Sequence, residues 1–121
     1  MTGVLKETLV EIPHQRLAAI SGPSFAREVA RELPTVVTVA SEDIETAAVT
    51  QQVFATPYFR VYTSQDVVGG ELGGSLKNVI AIGAGVVDGL GLGLNARAAL
   101  ITRGMTEIRR LGIKLGANPR T

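Results

Sequence analysis

The amino-acid sequence predicts an α/β fold in which a small parallel sheet is followed by a part built of helices alone. Three short runs rich in β-branched, apolar or aromatic residues alternate with helical segments up to about residue 64, a pattern typical of βαβ units with a parallel sheet. Beyond that point the apolar residues recur only at helical spacing. The chain has 121 residues, which is the size of one ordinary domain.

The first half of the chain contains three predicted strands and three predicted helices. An apolar run from Leu17 to Ile20 ends at a Ser-Gly-Pro turn and predicts a buried strand. Ser24 is expected to cap a helix that continues to about Glu32 and stops before Pro34. The other predicted elements are a helix at Val4–Val10, strands at Thr35–Ala40 and Tyr58–Tyr62, and a helix at Asp43–Phe54.

The second half contains two predicted helices separated by a glycine-rich break. The first begins at Thr63, which forms a capping-box pattern with Asp66, and ends near Asp88. The stretch GLGLGLN that follows does not come after a strand, so it predicts a helix break and not a dinucleotide-binding fingerprint. Asn95 is expected to cap the last helix, and Gly104 would allow that helix to pack closely. Its predicted apolar face consists of Ile101, Ile108, Leu111 and Leu115.

Composition and charge argue against several classes of function. The net charge is +1, and the twelve basic residues are scattered among eleven acidic ones, so no basic stripe indicates nucleic-acid binding. The chain has no cysteine and therefore neither disulfides nor thiolate chemistry. With His14 as its single histidine, we expect no metal site. No apolar run approaches the ~20 residues that cross a bilayer, and no secretory signal is visible, so we expect a cytoplasmic protein without membrane insertion.

Lys77 is the candidate reactive group of the sequence. It is the only cation between Thr63 and Asp88, a stretch made of small and apolar residues. On a helix Gly73 and Gly74 would flank it on one face, so that another chain segment or a small ligand could approach the backbone closely. Burial there would favour the uncharged amine by desolvation, and such a lysine can take or give a proton near neutral pH. The alternative is an ordinary lysine whose amine reaches solvent from a packed helix.

The turn Ser21-Gly22-Pro23-Ser24 is the second candidate. It lies at the carboxyl end of the first predicted strand, where parallel sheets bind their ligands. Backbone amides at the start of the following helix could hold an anion there. A Gly-Pro turn at a strand-to-helix junction also has a purely structural reason to exist, so both interpretations stay open.

Three stretches of the chain carry a resemblance to a known enzyme family. They are SGPSFAREVA at Ser21–Ala30, FRVYTS at 59–64, and ELGGSLKNVIAIGAGVVDGLGLGLNARAALITRG at Glu71–Gly104. Together they resemble the middle of the bacterial NAD(P)-dependent glycerol-3-phosphate dehydrogenases. The Gly-rich turn that cradles the cofactor pyrophosphate would precede this central fragment, and an aspartate with a Ser-Arg-Asn group would follow it. The resemblance implies that residues 1–64 are the C-terminal half of a dinucleotide-binding (Rossmann-type) domain and that 65–121 start a helical substrate domain.

The resemblance also implies a reaction, namely interconversion of sn-glycerol 3-phosphate and dihydroxyacetone phosphate by hydride transfer with NAD or NADP, which feeds phospholipid synthesis. It makes Lys77 the proton-transferring residue. That role agrees with the chemistry, because oxidising a secondary alcohol requires removal of the hydroxyl proton as hydride leaves. By the same resemblance Gly22 and Ser24 contact the substrate together with Lys77, Ala26 contacts the cofactor, and Asn78 supports the substrate site.

For the 121 residues by themselves we expect no appreciable activity, because the pyrophosphate would have nowhere to bind. One alternative is a non-catalytic helical association module that uses the glycine-rich helix face, and a homodimer is possible. Another is a related dehydrogenase acting on a different hydroxy acid, since fold does not fix substrate. Arg97 and Arg103 are expected to be structural or surface charges, and Glu71 is not expected to pair with Lys77 because it lies off that face.

Overall fold

The computed structural model describes every residue from Met1 to Thr121 and contains five α-helices and three strands. None of the helices combines the length and the hydropathy that a membrane crossing requires. In chain order the elements are α1 (Thr2–Thr8), a 3-10 turn (His14–Arg16), β1 (Ala18–Ser21), α2 (Ala26–Val29), β2 (Thr35–Ser41), α3 (Ile44–Phe54), β3 (Phe59–Ser64), α4 (Val67–Gly89) and α5 (Gly93–Lys114).

The three strands form one sheet in the order β1-β2-β3. β2 and β3 are parallel and are joined by α3, with Ala40 opposite Ser64, so this unit is the predicted βαβ arrangement. β1 is antiparallel to β2, with Ser21 opposite Thr38. The α/β class is therefore confirmed, but the sheet is mixed and not fully parallel.

The direction of β1 follows from the segment that connects it to β2. That segment contains only α2, which has four residues and spans about 6 Å, whereas the seven residues of β2 extend over roughly 23 Å. Parallel crossovers usually contain a helix long enough to return the chain along the sheet, and one helical turn is much shorter than that. As a result the turn after β1 does not lie with the carboxyl ends of β2 and β3, and the ligand-site rule of parallel sheets does not apply to it.

The core lies between the sheet and α3. Four side chains, Val37, Val39, Ala47 and Val61, form a cluster in which none is more than 3% exposed. Because successive residues of a strand face opposite sides, Ala40 faces the other side of the sheet, where α4 crosses β1 and β2. The sheet is thus held between α3 and the first part of α4, and this places α4 directly over the turn that follows β1.

Three predicted helix caps are wrong, although the helices themselves are present. Asp66 alone caps α4, and Thr63 makes no capping hydrogen bond. Ser24 lies two residues before α2 and does not cap it. Asn95 lies inside α5, because the glycine at position 93 adopts a positive φ of 83° and lets the helix begin earlier. In contrast, Asp43 caps α3 where the sequence places the start of that helix.

Asp66 also ties the start of α4 to the segment after α5. Its Oδ1 accepts a hydrogen bond from the backbone amide of Gly69 at 2.9 Å, and its Oδ2 accepts one from the amide of Asn118 at 2.8 Å. Burial raises the pKa of the Asp66 carboxyl, but hydrogen bonds from Thr121, Gly69 and Asn118 together hold it below its ordinary value of 3.8. The carboxylate is therefore a charged link between two segments that are distant in sequence.

The helices α4 and α5 pack as an antiparallel pair at glycine positions. A side chain at Gly104 would overlap that of Ile80, and one at Gly83 would lie 3.1 Å from Leu100. These spacings confirm that Gly104 permits close packing. Two surface ion pairs follow the same hairpin, Arg97 with Asp88 at 3.2 Å and Arg103 with Glu107 at 2.6 Å, which is the surface role expected of both arginines.

Candidate functional site

The helix α4 presents a bare face to the sheet. Gly70, Gly74 and Lys77 share this face, because they are spaced by four and three residues. A Cβ atom at Gly70 would lie 3.2 Å from the Cβ of Ala40, and one at Gly74 would lie 2.6 Å from the Oγ of Ser21. The backbone of α4 therefore approaches β1 and β2 at distances that leave no room for larger side chains.

Lys77 is the residue of α4 that reaches the turn after β1. Its Nζ donates a hydrogen bond to the carbonyl oxygen of Gly22 at 3.2 Å, although the two residues are 55 positions apart in sequence. Lys77 is exposed, so within these 121 residues the neighbours in sequence do not bury it. It lies at the rim of the contact between helix and sheet, one turn beyond the glycine that brings the two backbones together.

Gly22 holds the other side of this contact. Its φ is +156°, and a Cβ atom there would lie 2.9 Å from the carbonyl oxygen of Val36 and 2.9 Å from the Cα of Val37. Real Cβ atoms essentially never approach so closely. The turn thus rests directly on the backbone of β2, and its carbonyl oxygen is fixed where the Lys77 amine can donate to it.

A cleft of about 370 Å³ opens between α4 and this turn. Three of the five predicted site residues line it, namely Gly22, Ser24 and Lys77. A cleft of this size accommodates a small polar molecule. Its lining also includes Ser21, Glu71 and Ser75, so residues with hydroxyl and carboxylate groups border the cleft together with the lysine.

Glu71 is a residue of the cleft that the sequence did not indicate. Its Oε1 accepts a hydrogen bond from the backbone amide of Thr2 at 2.7 Å, and its Oε2 accepts one from the Thr2 hydroxyl at 3.0 Å. Burial raises the pKa of Glu71, but these hydrogen bonds and the nearby amine of Met1 hold it below its ordinary value of 4.5. Glu71 is bonded to α1 and not to Lys77, as expected. Its hydrogen-bond partner Thr2 lies 69 positions away in sequence, and no local sequence pattern predicts a contact over that distance.

The remaining two predicted residues, Ala26 and Asn78, do not line the cleft. Asn78 is exposed on α4, and because it directly follows Lys77 it is rotated about 100° away from the glycine face. Ala26 lies in a separate depression of about 530 Å³ whose lining includes Phe54, Tyr58 and Phe59. Ser24 lines both the cleft and this depression, so the turn separates two neighbouring recesses.

A further cavity of about 240 Å³ lies next to the cleft. Ser21, Gly70 and Gly74 line both the cavity and the cleft. The partition between the two is therefore made of one short hydroxyl side chain and the bare backbone of α4.

Comparison with known protein families matches both ends of the chain to the same family. The sequence profile described as NAD-dependent glycerol-3-phosphate dehydrogenase N-terminus matches residues 1–47. The profile described as NAD-dependent glycerol-3-phosphate dehydrogenase C-terminus matches residues 66–121.

Curated relatives carry the same description. A glycerol-3-phosphate dehydrogenase [NAD(P)+] of Syntrophotalea carbinolica is 60% identical over 121 residues, which are 100% of this chain and 36% of the relative. One of Geobacter metallireducens is 64% identical over 106 residues, which are 88% of this chain and 32% of the relative. The chain thus spans about a third of the length of the curated relatives it matches.

Solved structures show the same likeness. The crystal structure of glycerol-3-phosphate dehydrogenase from Coxiella burnetii matches with a TM-score of 0.80 and 50% identity, over 85% of this chain and 32% of that one. The Plasmodium falciparum glycerol-3-phosphate dehydrogenase matches with a TM-score of 0.82 and 32% identity, over 92% of this chain and 30% of that one.

Proposed function

The chain belongs to the NAD-dependent glycerol-3-phosphate dehydrogenase family, and from that premise we propose that its residues form the proton-transfer part of an enzyme that interconverts sn-glycerol 3-phosphate and dihydroxyacetone phosphate. The hydrogen bond from Lys77 to Gly22 is the observation that carries the proposal. It places a lone amine at the turn that the resemblance assigns to substrate. Because the chain spans 36% of its relative, the proposal concerns the whole enzyme to which these residues contribute. The product feeds phospholipid synthesis.

In the oxidising direction Lys77 accepts the proton of the substrate hydroxyl, and in the reducing direction it returns a proton to the forming alcohol oxygen. A bound nicotinamide supplies the hydride acceptor or donor. The Gly22 carbonyl oxygen accepts one hydrogen bond from the Lys77 nitrogen and thereby orients it. The uncharged amine, which accepts the substrate proton, keeps its lone pair and one N–H for the cleft. The ammonium, which returns the proton, keeps two of its three N–H donors for the cleft.

The other site residues take roles that fit their positions. Ser24 lines the cleft, where its hydroxyl can hydrogen-bond an oxygen of the substrate. Gly22 contributes its backbone beside Lys77. Asn78 lies outside the cleft and is exposed, and it supports the substrate site as the residue that follows Lys77 on α4. Ala26 contacts the cofactor. The aromatic and apolar lining of its depression suits a planar ring, and Ser24 borders both recesses, as a reaction between neighbouring substrate and cofactor requires.

The domain boundary is part of the proposal. Residues 1–64 belong to the dinucleotide-binding domain, and residues 65–121 begin the helical substrate domain. Two observations support this division. β3 ends at Ser64 and α4 begins at Val67, and the two family profiles match on either side, at 1–47 and 66–121.

We propose further that the enzyme is a homodimer working in the cytoplasm, where nicotinamide cofactors are recycled. Support for self-association comes from three apolar side chains of α4 and the one that follows the helix, which are each at least 55% exposed in the 121-residue chain, since exposed apolar patches mark interaction sites. They are Val79, Ile82, Val86 and Leu90. The same patch favours a second candidate function, a non-catalytic association module. Sedimentation at falling concentration together with cofactor binding separates the two, because a stable dimer that binds no cofactor would favour the module.

The deciding experiment exchanges the matching 121 residues of the Syntrophotalea carbinolica relative for this chain and measures reduction of dihydroxyacetone phosphate by NADH or NADPH. We expect an active chimera in which Lys77→Ala lowers kcat by about 10²–10⁴-fold. The matched control is Lys114→Ala, since this exposed lysine lies at the end of α5 and outside the cleft. A chimera that folds and binds cofactor but is inactive, or that keeps its activity after Lys77→Ala, would overturn the proposal. The 121 residues alone should be inactive.

A further inference from the structure

We propose that Ser21 and Gly74 form a size-matched pair that sets the distance between β1 and α4, which makes Gly74 a positioning residue for the Lys77 amine. The inference rests on the proposed function, because it concerns how the proton-transferring group is held over the substrate turn. Gly74 itself has no side chain to offer to substrate or cofactor. Its role follows from what its backbone contacts.

The pair sits next to both partners of the Lys77–Gly22 hydrogen bond. Gly22 directly follows Ser21, and Lys77 lies one helical turn beyond Gly74 on the same face. A displacement of α4 at Gly74 therefore also displaces the Lys77 amine. A displacement of Ser21 displaces the Gly22 carbonyl oxygen, which accepts the hydrogen bond of that amine at 3.2 Å.

The space between Gly74 and Ser21 has room for one small group only. A Cβ atom at Gly74 would lie 2.6 Å from the Oγ of Ser21 but 3.6 Å from the Cβ of Ser21. The first distance is a severe overlap, and the second is an ordinary van der Waals contact. The Ser21 hydroxyl fills this gap, and a methyl group at position 74 would fit only if that hydroxyl were absent or turned to another position.

Open space lies on both sides of this contact. The cleft of about 370 Å³ lies on one side of the pair and the cavity of about 240 Å³ on the other, and Ser21, Gly70 and Gly74 line both. In a close-packed core many side chains would share the task of holding two elements apart. Here recesses flank the contact, so α4 is spaced from β1 by Ser21 against Gly74. It is spaced from β2 by Ala40 against Gly70, where an added Cβ atom would lie 3.2 Å from the Cβ of Ala40.

A methyl group at position 74 has two ways to be accommodated, and both disturb the site. If α4 lifts by about 1 Å to restore van der Waals contact, the backbone of Lys77 moves with it, and the amine must re-extend to stay within hydrogen-bonding distance of the Gly22 oxygen. If instead the Ser21 hydroxyl turns away, it must enter one of the recesses. A misplacement of about 1 Å can lower a rate about 10²-fold, so a distance effect of this size is measurable.

The experiment is a double-variant cycle in the chimera, with Gly74→Ala, Ser21→Ala and both together. We expect Gly74→Ala to lower kcat by about 10–10²-fold with a much smaller change in KM, and the double variant to recover at least tenfold of that loss. Gly85→Ala on the same helix is the control, because a Cβ atom there meets nothing within 4 Å. A double variant no better than Gly74→Ala, or a Gly74→Ala enzyme with unchanged kcat, would overturn the inference.

A second readout keeps the inference separate from the proposed function. In the 121-residue chain the acetylation rate of the Lys77 amine is measured against that of Lys114 by mass spectrometry. Gly74→Ala should raise this ratio by about 2- to 10-fold, the factor that one hydrogen bond contributes, and adding Ser21→Ala should restore it. An unchanged ratio counts against the pair. An inactive parent chimera with the expected ratios would overturn the enzymatic proposal alone.

Discussion

Replacing Asp66 by alanine should lower the free energy of unfolding by about 2 kcal/mol. The carboxylate caps α4 through the amide of Gly69 at 2.9 Å, and a side-chain N-cap contributes about 1 kcal/mol. It also accepts a hydrogen bond from the amide of Asn118 at 2.8 Å, which contributes about 1 kcal/mol more. For a chain of this length, 2 kcal/mol corresponds to a decrease in Tm of roughly 6–12 °C.

The pH dependence of the stability lost in Asp66→Ala tests whether the charged carboxylate is responsible for it. The folded protein holds the pKa of Asp66 below its ordinary value of 3.8. The stabilisation by the carboxylate is therefore complete well above that value and disappears as the pH falls through the lower pKa of the folded state. Urea unfolding followed by circular dichroism at pH 7 and at pH 2 should thus show a large difference between the parent and Asp66→Ala at pH 7, and a much smaller one at pH 2.

Asp88→Ala is the matched control for this prediction. Asp88 lies at the other end of α4, is 51% exposed, and is paired with Arg97 at 3.2 Å. A surface ion pair of this kind contributes at most about 1 kcal/mol. Equal losses for the two variants at pH 7, or a loss for Asp66→Ala that stays undiminished at pH 2, would refute the reasoning.

Two further variants test the packing around the site and the core by thermal unfolding. Gly22→Ala should cost about 1–3 kcal/mol, since its Cβ would lie 2.9 Å from backbone atoms of β2. Gly85→Ala, which meets open space, should cost nothing, so equal Tm values for the two would contradict the close approach. Val39→Ala should cost about 2 kcal/mol because Val39 is 0% exposed. Val36→Ala on the same strand, 47% exposed, should cost less than half of that, and similar losses would mean that the core is misplaced.

Much of the fold follows from local patterns in the sequence. The β-branched run of β2 and the helical spacing of α3 predict their elements to within one residue at each end, because propensity and burial agree there. The direction of β1 does not follow in this way. The connection to β2 contains a helix of only four residues. The alternation of strands and helices in the sequence predicts that a helix is present but not how long it is.

Local sequence patterns predict less of the candidate site than of the fold. The resemblance supplied Gly22, Ser24 and Lys77, and the structure brings these three to one cleft, whereas Ala26 and Asn78 lie outside it. The exposure of Lys77 was not predictable from its apolar neighbours in sequence, because it depends on where along α4 the contact with the sheet ends. Glu71 could not be found at all, since its partner Thr2 is 69 positions away.

The 55-residue separation between Lys77 and Gly22 has a consequence for folding. The helical hairpin of α4 and α5 and the unit of β2, α3 and β3 are each held by contacts that are near in sequence, which form early. The hydrogen bond at the cleft exists only after these two pieces have docked, and docking must first overcome the entropy of closing a long loop. Mild denaturants should therefore abolish the amine–carbonyl contact while the circular dichroism of the helices is still native.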